Sequence, residues 1–267
     1  MGRKTSFRIG TTSYIIDAGL SQNLSYLTRN FKAVKEMQLV LFETNEFSNI
    51  PSKREVTRLK TIAESHDISF TVHMPCSIEL GAPDPVERAG SIELFKRVFD
   101  ITYPLSPICW TLHIISPLEF MYPEKTDKKS LRGYIERAKE SLTRLLPLFD
   151  SSRDIAIENV YPHFYIEPEF IDEFDTSVCI DVGHLLYYSQ DVNSHMERWL
   201  PRCRNVHLHG IEEGGKDHSS LAYLSEAFLR RLLLETLKNS TVQTVTLEIF
   251  GKEDLKSSLN ALPSEIR

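Results

Sequence analysis

Eight short runs of β-branched and aromatic residues recur along the chain, and segments with helical spacing separate them. Parallel strands need crossover connections such as helices, and eight strand and helix units over roughly 250 residues match the length of a (β/α)8 barrel. The alternation therefore predicts an α/β fold, a single (β/α)8 TIM barrel that takes up residues 1–267 as one domain. A doubly wound open sheet is the alternative. The predicted strands are 7–13, 38–44, 69–75, 108–114, 155–160, 177–184, 205–211 and 244–250.

Two of the intervening segments carry the clearest helical patterns. Between Leu131 and Phe149 apolar residues recur every three or four positions, and Asp127 is placed to cap the start of that helix. The segment 220–238 has a similar pattern. Both segments fit helices that connect neighbouring parallel strands.

Composition limits the class of protein and of partner. The net charge of −6 disfavours a nucleic-acid partner, because binding to phosphate backbones depends on clustered Lys and Arg. No apolar run approaches the length of a membrane helix, and the first ten residues lack the apolar core of a signal peptide, so we expect a cytoplasmic protein without a membrane partner. The four cysteines form no CxxC pair and are interpreted as reduced thiols, with Cys76 and Cys179 as incidental neighbours of the site described next.

Metal-capable side chains end six consecutive predicted strands, and a barrel of this kind carries its active site at that end of its strands. A single histidine at a strand end is more often a hydrogen-bonded structural residue than a ligand. Several carboxylates in one barrel mouth, however, would be costly to bury unless they were paired or bound to metal. The strand-end residues are His73, His113, Glu158, Asp181 with His184, His207 with His209, and Glu248.

The mixture of imidazole and carboxylate ligands indicates zinc, manganese or iron(II) rather than calcium. The set is too large for one tetrahedral zinc, which indicates a cluster of two or three divalent ions with a carboxylate such as Glu158 bridging two of them. Paired metals about 4 Å apart suit phosphoester hydrolysis, since they activate water and neutralise charge on the phosphate. The sequence contains neither a Walker phosphate loop nor a GxSxG nucleophile motif that would indicate another chemistry.

The ordered motifs TVHMP, TLHII, AIENV, CIDVGH, NVHLH, KDH and TLEIF resemble the xylose-isomerase-like TIM barrel superfamily, which includes endonuclease IV and sugar-phosphate isomerases and epimerases. The resemblance implies two or three divalent ions, with zinc or manganese favoured. One departure concerns the loop histidine: endonuclease IV has an aspartate two residues before it, where this chain has Lys216, with Asp217 next to His218. The implied ligands are Glu158, Asp181, His207 and Glu248 for one metal, His73 and His113 for a second, and His184 and His218 for a third.

Four further stretches, FRIGTTSYI, LVLFETNEFSNIPS, TVHMPCSIELG and HLHGIEEGGKDHSSL, resemble the cobamide-remodelling phosphodiesterase branch of that superfamily. This resemblance implies hydrolysis of the nucleotide-loop phosphoester of a cobamide by a metal-bound hydroxide, with Glu158 and Glu248 as catalytic residues. From their positions we predict that four more residues line the substrate pocket: Glu43, Asn159, His209 and Asp217.

Three other functions stay open. A sugar or sugar-phosphate isomerase or epimerase would use one divalent metal, with Glu158 and Glu248 moving a proton next to a carbonyl. An endonuclease IV-like AP endonuclease would need basic loops that grip DNA, and the acidic balance offers few of them. A non-catalytic corrinoid or sugar-phosphate binding protein could retain the barrel alone. The expected partner is thus a small molecule, either a cobamide or a sugar phosphate.

Overall fold

The protein folds as a closed barrel of eight parallel strands in sequence order, with β1 pairing β8 to close it. The computed structural model describes residues 7–114, 117, 120–122, 125–161 and 167–266. The predicted (β/α)8 barrel is thereby confirmed, and the open-sheet alternative is wrong. The strands are β1 Arg8–Thr12, β2 Glu36–Val40, β3 Ser69–His73, β4 Trp110–Leu112, β5 Ile155–Glu158, β6 Ser177–Asp181, β7 Cys203–Leu208 and β8 Thr244–Leu247.

Helices connect consecutive strands and run back along the outside of the barrel. Their apolar faces pack on the outward side chains of the strands in one extended hydrophobic core, and Cys109, Ala156 and Cys179 form a small separate cluster. No helix in the described part of the chain combines the length and apolar composition needed to cross a membrane. The helices are α1 Leu20–Asn30, α2 Lys53–His66, α3 Pro85–Thr102, α4 Lys128–Leu145, α5 Glu167–Phe174, α6 Val182–Tyr187, α7 Val192–Trp199, α8 Glu226–Arg230 and α9 Lys252–Ala261.

Of the two segments with the clearest helical patterns, one forms the predicted helix and the other does not. The side chain of Asp127 accepts a hydrogen bond from the backbone N–H of Ser130 and caps α4, as predicted. That helix ends four residues before Phe149, because Pro147 cannot continue it. The predicted helix at 220–238 is instead a 3-10 turn, α8 and a π-helical segment at Arg231–Thr236.

Strand β2, Glu36–Val40, begins two residues before the predicted run 38–44 and ends four residues before its end, and its first residue is an acid that lies inside the barrel. The Glu36 carboxylate accepts hydrogen bonds from the hydroxyls of Thr71 (2.7 Å) and Thr246 (2.9 Å). Burial raises the pKa of Glu36 to about 7. Gly10 on β1 faces it without a Cβ, which would overlap the carboxylate. The barrel interior is thus polar well below its mouth.

Candidate metal centre

The strand-end residues predicted as ligands come together at the carboxyl end of the barrel. His73, Glu158 and Asp181 are the last residues of β3, β5 and β6, and His207 pairs in register with Asp181. His113 and Glu248 directly follow β4 and β8. These six side chains are between 0% and 16% exposed. Parallel strands in a closed barrel end on the same side, so residues far apart in sequence share one buried cluster.

Two histidines form a compact group with one oxygen of Glu158. The Nε2 atoms of His73 and His113 lie 3.2 Å apart, and they lie 3.4 Å and 3.3 Å from Glu158 Oε2. Ligands about 2.1 Å from a tetrahedral metal are about 3.4 Å from one another, so these spacings fit three ligands of one ion. The Nδ1–H of His73 donates to the carbonyl of Met74 (2.9 Å) and leaves Nε2 free to face the centre.

A second group surrounds the other oxygen of Glu158. His207 Nδ1 lies 3.3 Å from Glu158 Oε1, 3.0 Å from Glu248 Oε2 and 3.8 Å from Asp181 Oδ2. All four ligand atoms of this group lie within 4.8 Å of one another. Three carboxylates and one imidazole suit a divalent ion such as zinc or manganese.

The ligand atoms themselves indicate that a cation belongs here. Among the described residues, five buried atoms that face the cluster have no hydrogen-bond partner: Glu158 Oε1 and Oε2, Asp181 Oδ2, His207 Nδ1 and Glu248 Oε2. Buried polar atoms without partners are costly in proteins, and carboxylates are the costliest of them. Metal coordination would satisfy these atoms. The residues present therefore fit the divalent ions that the sequence implies.

Without a metal, protons would balance the buried carboxylates. Burial favours the neutral acid, but the charges of His207 and His113 outweigh it and hold the pKa of Glu158 well below its usual range. Burial likewise opposes the charged form of His207, yet its acidic neighbours, including Glu248 and Glu158, hold its pKa well above the usual range. The pKa of His113 is raised well above its usual range as well, against burial, by Glu158 and Cys76. Metal binding must displace these protons.

Gln38 on β2, which the sequence analysis missed, orients His207 from below. The amide nitrogen of Gln38 lies 2.7 Å from His207 Nε2, while the amide oxygen of Gln38 is buried without a partner. Rotating the amide by half a turn places that oxygen where the Nε2–H of His207 can donate to it, which satisfies both groups. His207 is then held with Nδ1 towards the carboxylates. The sequence signal for this contact was weak: side chains alternate along a strand, and the alternation places Gln38 on the inward face of β2.

Asn159 holds the ends of β5 and β6 together. Its amide donates to the carbonyl of Asp181 (2.9 Å) and accepts from the backbone N–H of Asp181 (2.8 Å). Asp181 in turn caps α6, since its Oδ1 accepts from the backbone N–H of His184 (2.7 Å). These contacts fix the orientation of the Asp181 carboxylate. The predicted contact of Asn159 with a substrate stays a prediction.

Three histidines form a further group on the side of β6 and β7: His184, His209 and His218, with ligand atoms within 4.8 Å of one another. The buried ring of His209 stacks on that of His218 at 4.3 Å between centroids, and its Nδ1 accepts from the backbone N–H of His218 (3.0 Å). His209 Nε2 lies 3.5 Å from Asp181 Oδ1. His209 thus connects a strand carboxylate to the loop histidine. Gly183 makes room for it, since a Cβ there would overlap the imidazole ring.

The loop after β7 explains the departure at Lys216. Lys216 pairs with Glu212 on the same loop (2.9 Å) and is mostly exposed. Asp217 Oδ1 lies 3.2 Å from His218 Nδ1, which leaves Nε2 of His218 facing Glu248 at 3.9 Å. The one-residue shift therefore places the carboxylate behind the histidine, in the arrangement by which carboxylates orient metal-binding imidazoles.

Two further residues lie near the cluster: Cys76, which differs from its sequence interpretation, and Glu43, which lies outside the metal-binding groups of the described residues. Cys76, interpreted as incidental, has its Sγ 3.7 Å from His113 Nδ1 and forms a further possible metal-binding group with His73 and His113. Glu43 forms an ion pair with Arg97 of α3 (2.5 Å) and does not belong to the possible metal-binding groups of the described residues. Its predicted contact with a substrate stays a prediction.

Several solved structures share this fold. They include D-psicose 3-epimerase from Clostridium cellulolyticum H10 (15% identity, 97% of this chain and 94% of that one, TM-score 0.65). 3-keto-D-glucoside 4-epimerase from E. coli matches at 12% identity over 96% and 97% of the two chains, with a TM-score of 0.69. A protein named SacUVDE matches at 13% identity over 96% of each chain, with a TM-score of 0.66.

At these identities the likeness shows the fold alone. Comparison with curated protein sequences gives no match. The sequence profile of the family described as xylose isomerase-like TIM barrel matches residues 31–262, which is most of the chain and includes every predicted ligand. The chain therefore belongs to the xylose isomerase-like TIM barrel family.

Proposed function

We propose that this protein is a metal-dependent phosphodiesterase. The observation that carries the proposal is the position of Glu158, whose two oxygens face two different groups of ligands. Oε2 faces His73 and His113, and Oε1 faces His207. A carboxylate shared in this way would bridge two divalent ions, as in centres that hydrolyse phosphoesters.

Each residue has a definite task in this proposal. Two divalent ions would supply Lewis-acid charge and lower the pKa of water at the centre. Glu158 fixes the spacing of the two ligand groups, and Glu248 and Asp181 balance the charge around His207. The side chains of His113, His184 and His218, at 16%, 13% and 25% exposed, are the ligand candidates that the phosphate can approach from solvent.

For the substrate we propose a cobamide, cleaved at the phosphoester of its nucleotide loop. The support is the resemblance of the loops after β1, β2, β3 and β7 to the cobamide-remodelling branch, and the family is consistent with a small-molecule substrate. The net charge of −6 favours a small diester over duplex DNA.

A sugar isomerase or epimerase is the second candidate. The four ligands Glu158, Asp181, His207 and Glu248 by themselves form a complete one-metal site, and solved structures with this fold include two sugar epimerases. In that case Glu158 and Glu248 would move a proton beside a carbonyl. The orientation of His73 and His113 towards Glu158 would then have no role in the chemistry.

Metal content and product analysis together separate the candidates. The protein is loaded with zinc or manganese, and bound metal is counted per chain before a complete cobamide is added and the mixture is analysed by mass. Two or three equivalents with release of cobinamide phosphate support the proposal. One metal equivalent per chain with interconversion of a ketose supports the epimerase. A protein that binds no metal would be neither a metal-dependent phosphodiesterase nor a metal-dependent epimerase.

The variant Glu158→Gln tests the bridging role. It keeps the shape of the side chain but removes its charge, and we expect a loss of cobamide hydrolysis of about a thousandfold or more, together with loss of one metal equivalent. Glu64→Gln, at an exposed position on α2, is the matched control and should hydrolyse as wild type does. Near-normal activity of Glu158→Gln would show that the bridging role is wrong.

A further inference from the structure

Three imidazole rings on the β6 and β7 side of the mouth lie at separations that fit ligands of one ion. The ring centroid of His184 lies 5.5 Å from that of His209 and 5.5 Å from that of His218. The rings of His209 and His218 are 4.3 Å apart. A metal ion about 2.1 Å from each nitrogen lies about 3.2 Å from each ring centroid, so two tetrahedral ligands have centroids about 5.2 Å apart. The observed separations lie on both sides of that value.

Each of the three rings has one nitrogen beside a fixed acceptor. In all three, Nδ1 lies 3.2 Å from an oxygen: the carbonyl of Asn159 for His184, the carbonyl of Gly210 for His209, and the carboxylate of Asp217 for His218. A ring that donates its Nδ1–H to such an acceptor presents Nε2 as a neutral metal ligand. The three Nε2 atoms are therefore available to one ion.

The Nε2 atom of His209 carries the argument for a ligand at this place. It is fully buried and has no hydrogen-bond partner among the residues that the structure describes. Asp181 Oδ1 lies 3.5 Å from it, but that oxygen already accepts from the backbone N–H of His184 (2.7 Å). Buried polar atoms without a partner are uncommon and costly. An ion shared with His184 and His218 would satisfy this nitrogen.

The loop that carries His218 is held in place at its base. Gly210 and Ser219 pair through two backbone hydrogen bonds, of 2.7 Å and 3.0 Å. Next to this pair the backbone of His218 has a φ of 49°, in the left-handed region that residues other than glycine rarely adopt. The pairing and this conformation together place the His218 ring against that of His209.

We propose that His184, His209 and His218 hold one zinc-type ion in a site made of imidazoles alone, with His209 as the ligand that replaces a loop carboxylate. The family resemblance implied only His184 and His218 here, and from its position His209 was predicted to contact the substrate. Asp217 is a positioning residue in this arrangement, because its carboxylate lies at Nδ1 of His218 and thus behind the ring. The inference concerns metal binding and holds whichever reaction the protein catalyses.

The ligand types predict which ions enter the site. Imidazole suits zinc and copper, whereas manganese favours carboxylate and water oxygens. The group around His207 includes three carboxylates and accepts zinc or manganese, but the three imidazoles favour zinc strongly. Neutral ligands also leave the charge of the ion uncompensated, which favours an anion such as phosphate as a fourth ligand. The side chains of His184 and His218, 13% and 25% exposed, are open to that approach.

Counting bound ions by equilibrium dialysis tests the proposal. We expect wild type to bind three zinc ions per chain but only two manganese ions. His209→Asn and His218→Asn should each bind two zinc ions, and the double variant should also bind two, because both residues serve the same ion. His66→Asn, the matched control at an exposed position on α2, should bind three. Circular dichroism shows whether each variant is folded.

A second measurement does not depend on how well His209→Asn folds. Wild type holding two zinc ions receives one equivalent of copper(II), and electron paramagnetic resonance counts the nitrogens bound to copper. We expect three nitrogens in wild type and two in His218→Asn. Fewer than three in wild type would refute the site.

The zinc counts can overturn the proposal in three further ways. Wild type binds fewer than three zinc ions, folded His209→Asn still binds three, or the double variant binds fewer than two, so that the two rings serve different ions. Three manganese ions in wild type would likewise contradict a site of imidazoles alone. Three zinc ions without cobamide hydrolysis refute the proposed function alone, whereas hydrolysis with only two bound zinc ions refutes this site alone.

Discussion

The substitution Gly183→Ala tests whether the site depends on the present position of the His209 ring. In α6 a Cβ at position 183 would lie 2.2 Å from Nε2 and 2.3 Å from Cδ2 and Cε1 of His209, far closer than the 3.4 Å of ordinary van der Waals contact. The ring cannot move aside freely, because it is fully buried, stacks on His218 and accepts a hydrogen bond from its backbone. Gly183→Ala should therefore displace both His209 and the loop that carries His218.

The cost can be bounded from the packing. Overpacking a rigid site by one methyl group costs about 1–3 kcal/mol, and for a chain of this size each kcal/mol changes Tm by roughly 2–4 °C. We expect metal-free Gly183→Ala to melt about 2–12 °C below wild type. Gly90→Ala is the matched control, because Gly90 is a glycine in α3 with nothing within 4 Å of its Cβ position. It should gain about 0.5–1 kcal/mol, as exposed helical glycines do on replacement by alanine.

A double-mutant cycle identifies the contact that is responsible. In the background His209→Ala the ring is absent, so Gly183→Ala should cost little or nothing there. Thermal unfolding of the four proteins by circular dichroism, together with metal counting, provides the measurement. The reasoning is refuted if Gly183→Ala is as stable as Gly90→Ala, or if its cost is the same with and without the His209 ring.

Two further predictions concern the metal-binding groups. Gln38→Leu should weaken metal binding about 10–100-fold, measured in competition with a chelator, whereas Gln38→Glu should largely retain the affinity because its side chain still accepts a hydrogen bond from His207. Equal metal affinities of the two variants would contradict the orienting role of Gln38. Asp181 outweighs burial and raises the pKa of His209 to about 9, from a usual value near 6.5; in the charged ring Nδ1–H donates to the carbonyl of Gly210 (3.2 Å) and no longer accepts from the backbone of His218. This shift contributes stability that is fully present below about pH 6.5 and is lost as the pH rises through about 9. The Tm of the metal-free protein should fall over that window. Bound zinc should remove much of this fall, because a metal ion coordinates the neutral imidazole. A flat Tm from pH 6.5 to pH 9 would show that the histidines are not charged when metal is absent.

Much of the fold was predictable from local pattern. Strand and helix runs alternate because each unit must bury one face, and a parallel barrel is the arrangement that connects eight of them in order. The boundary of β2 was not predictable, since a charged Glu36 does not indicate a buried strand position until Thr71 and Thr246 are seen to donate to it. The segment 220–238 was misjudged because Ser220 and Ser225 cap separate turns within one apolar pattern.

The sequence by itself indicated the strand-end histidines and carboxylates that meet at the site, because the carboxyl ends of parallel strands lie on one side of a barrel whatever the details of packing, but it did not indicate Gln38 or Cys76. The tertiary structure decided how they meet. Only it divides the two oxygens of Glu158 between separate ligand groups, sets Gln38 beneath His207 and turns Asp217 behind His218. These contacts join residues distant in sequence or on a turning loop, and their distances depend on the strand register and rotamers that the closed barrel imposes.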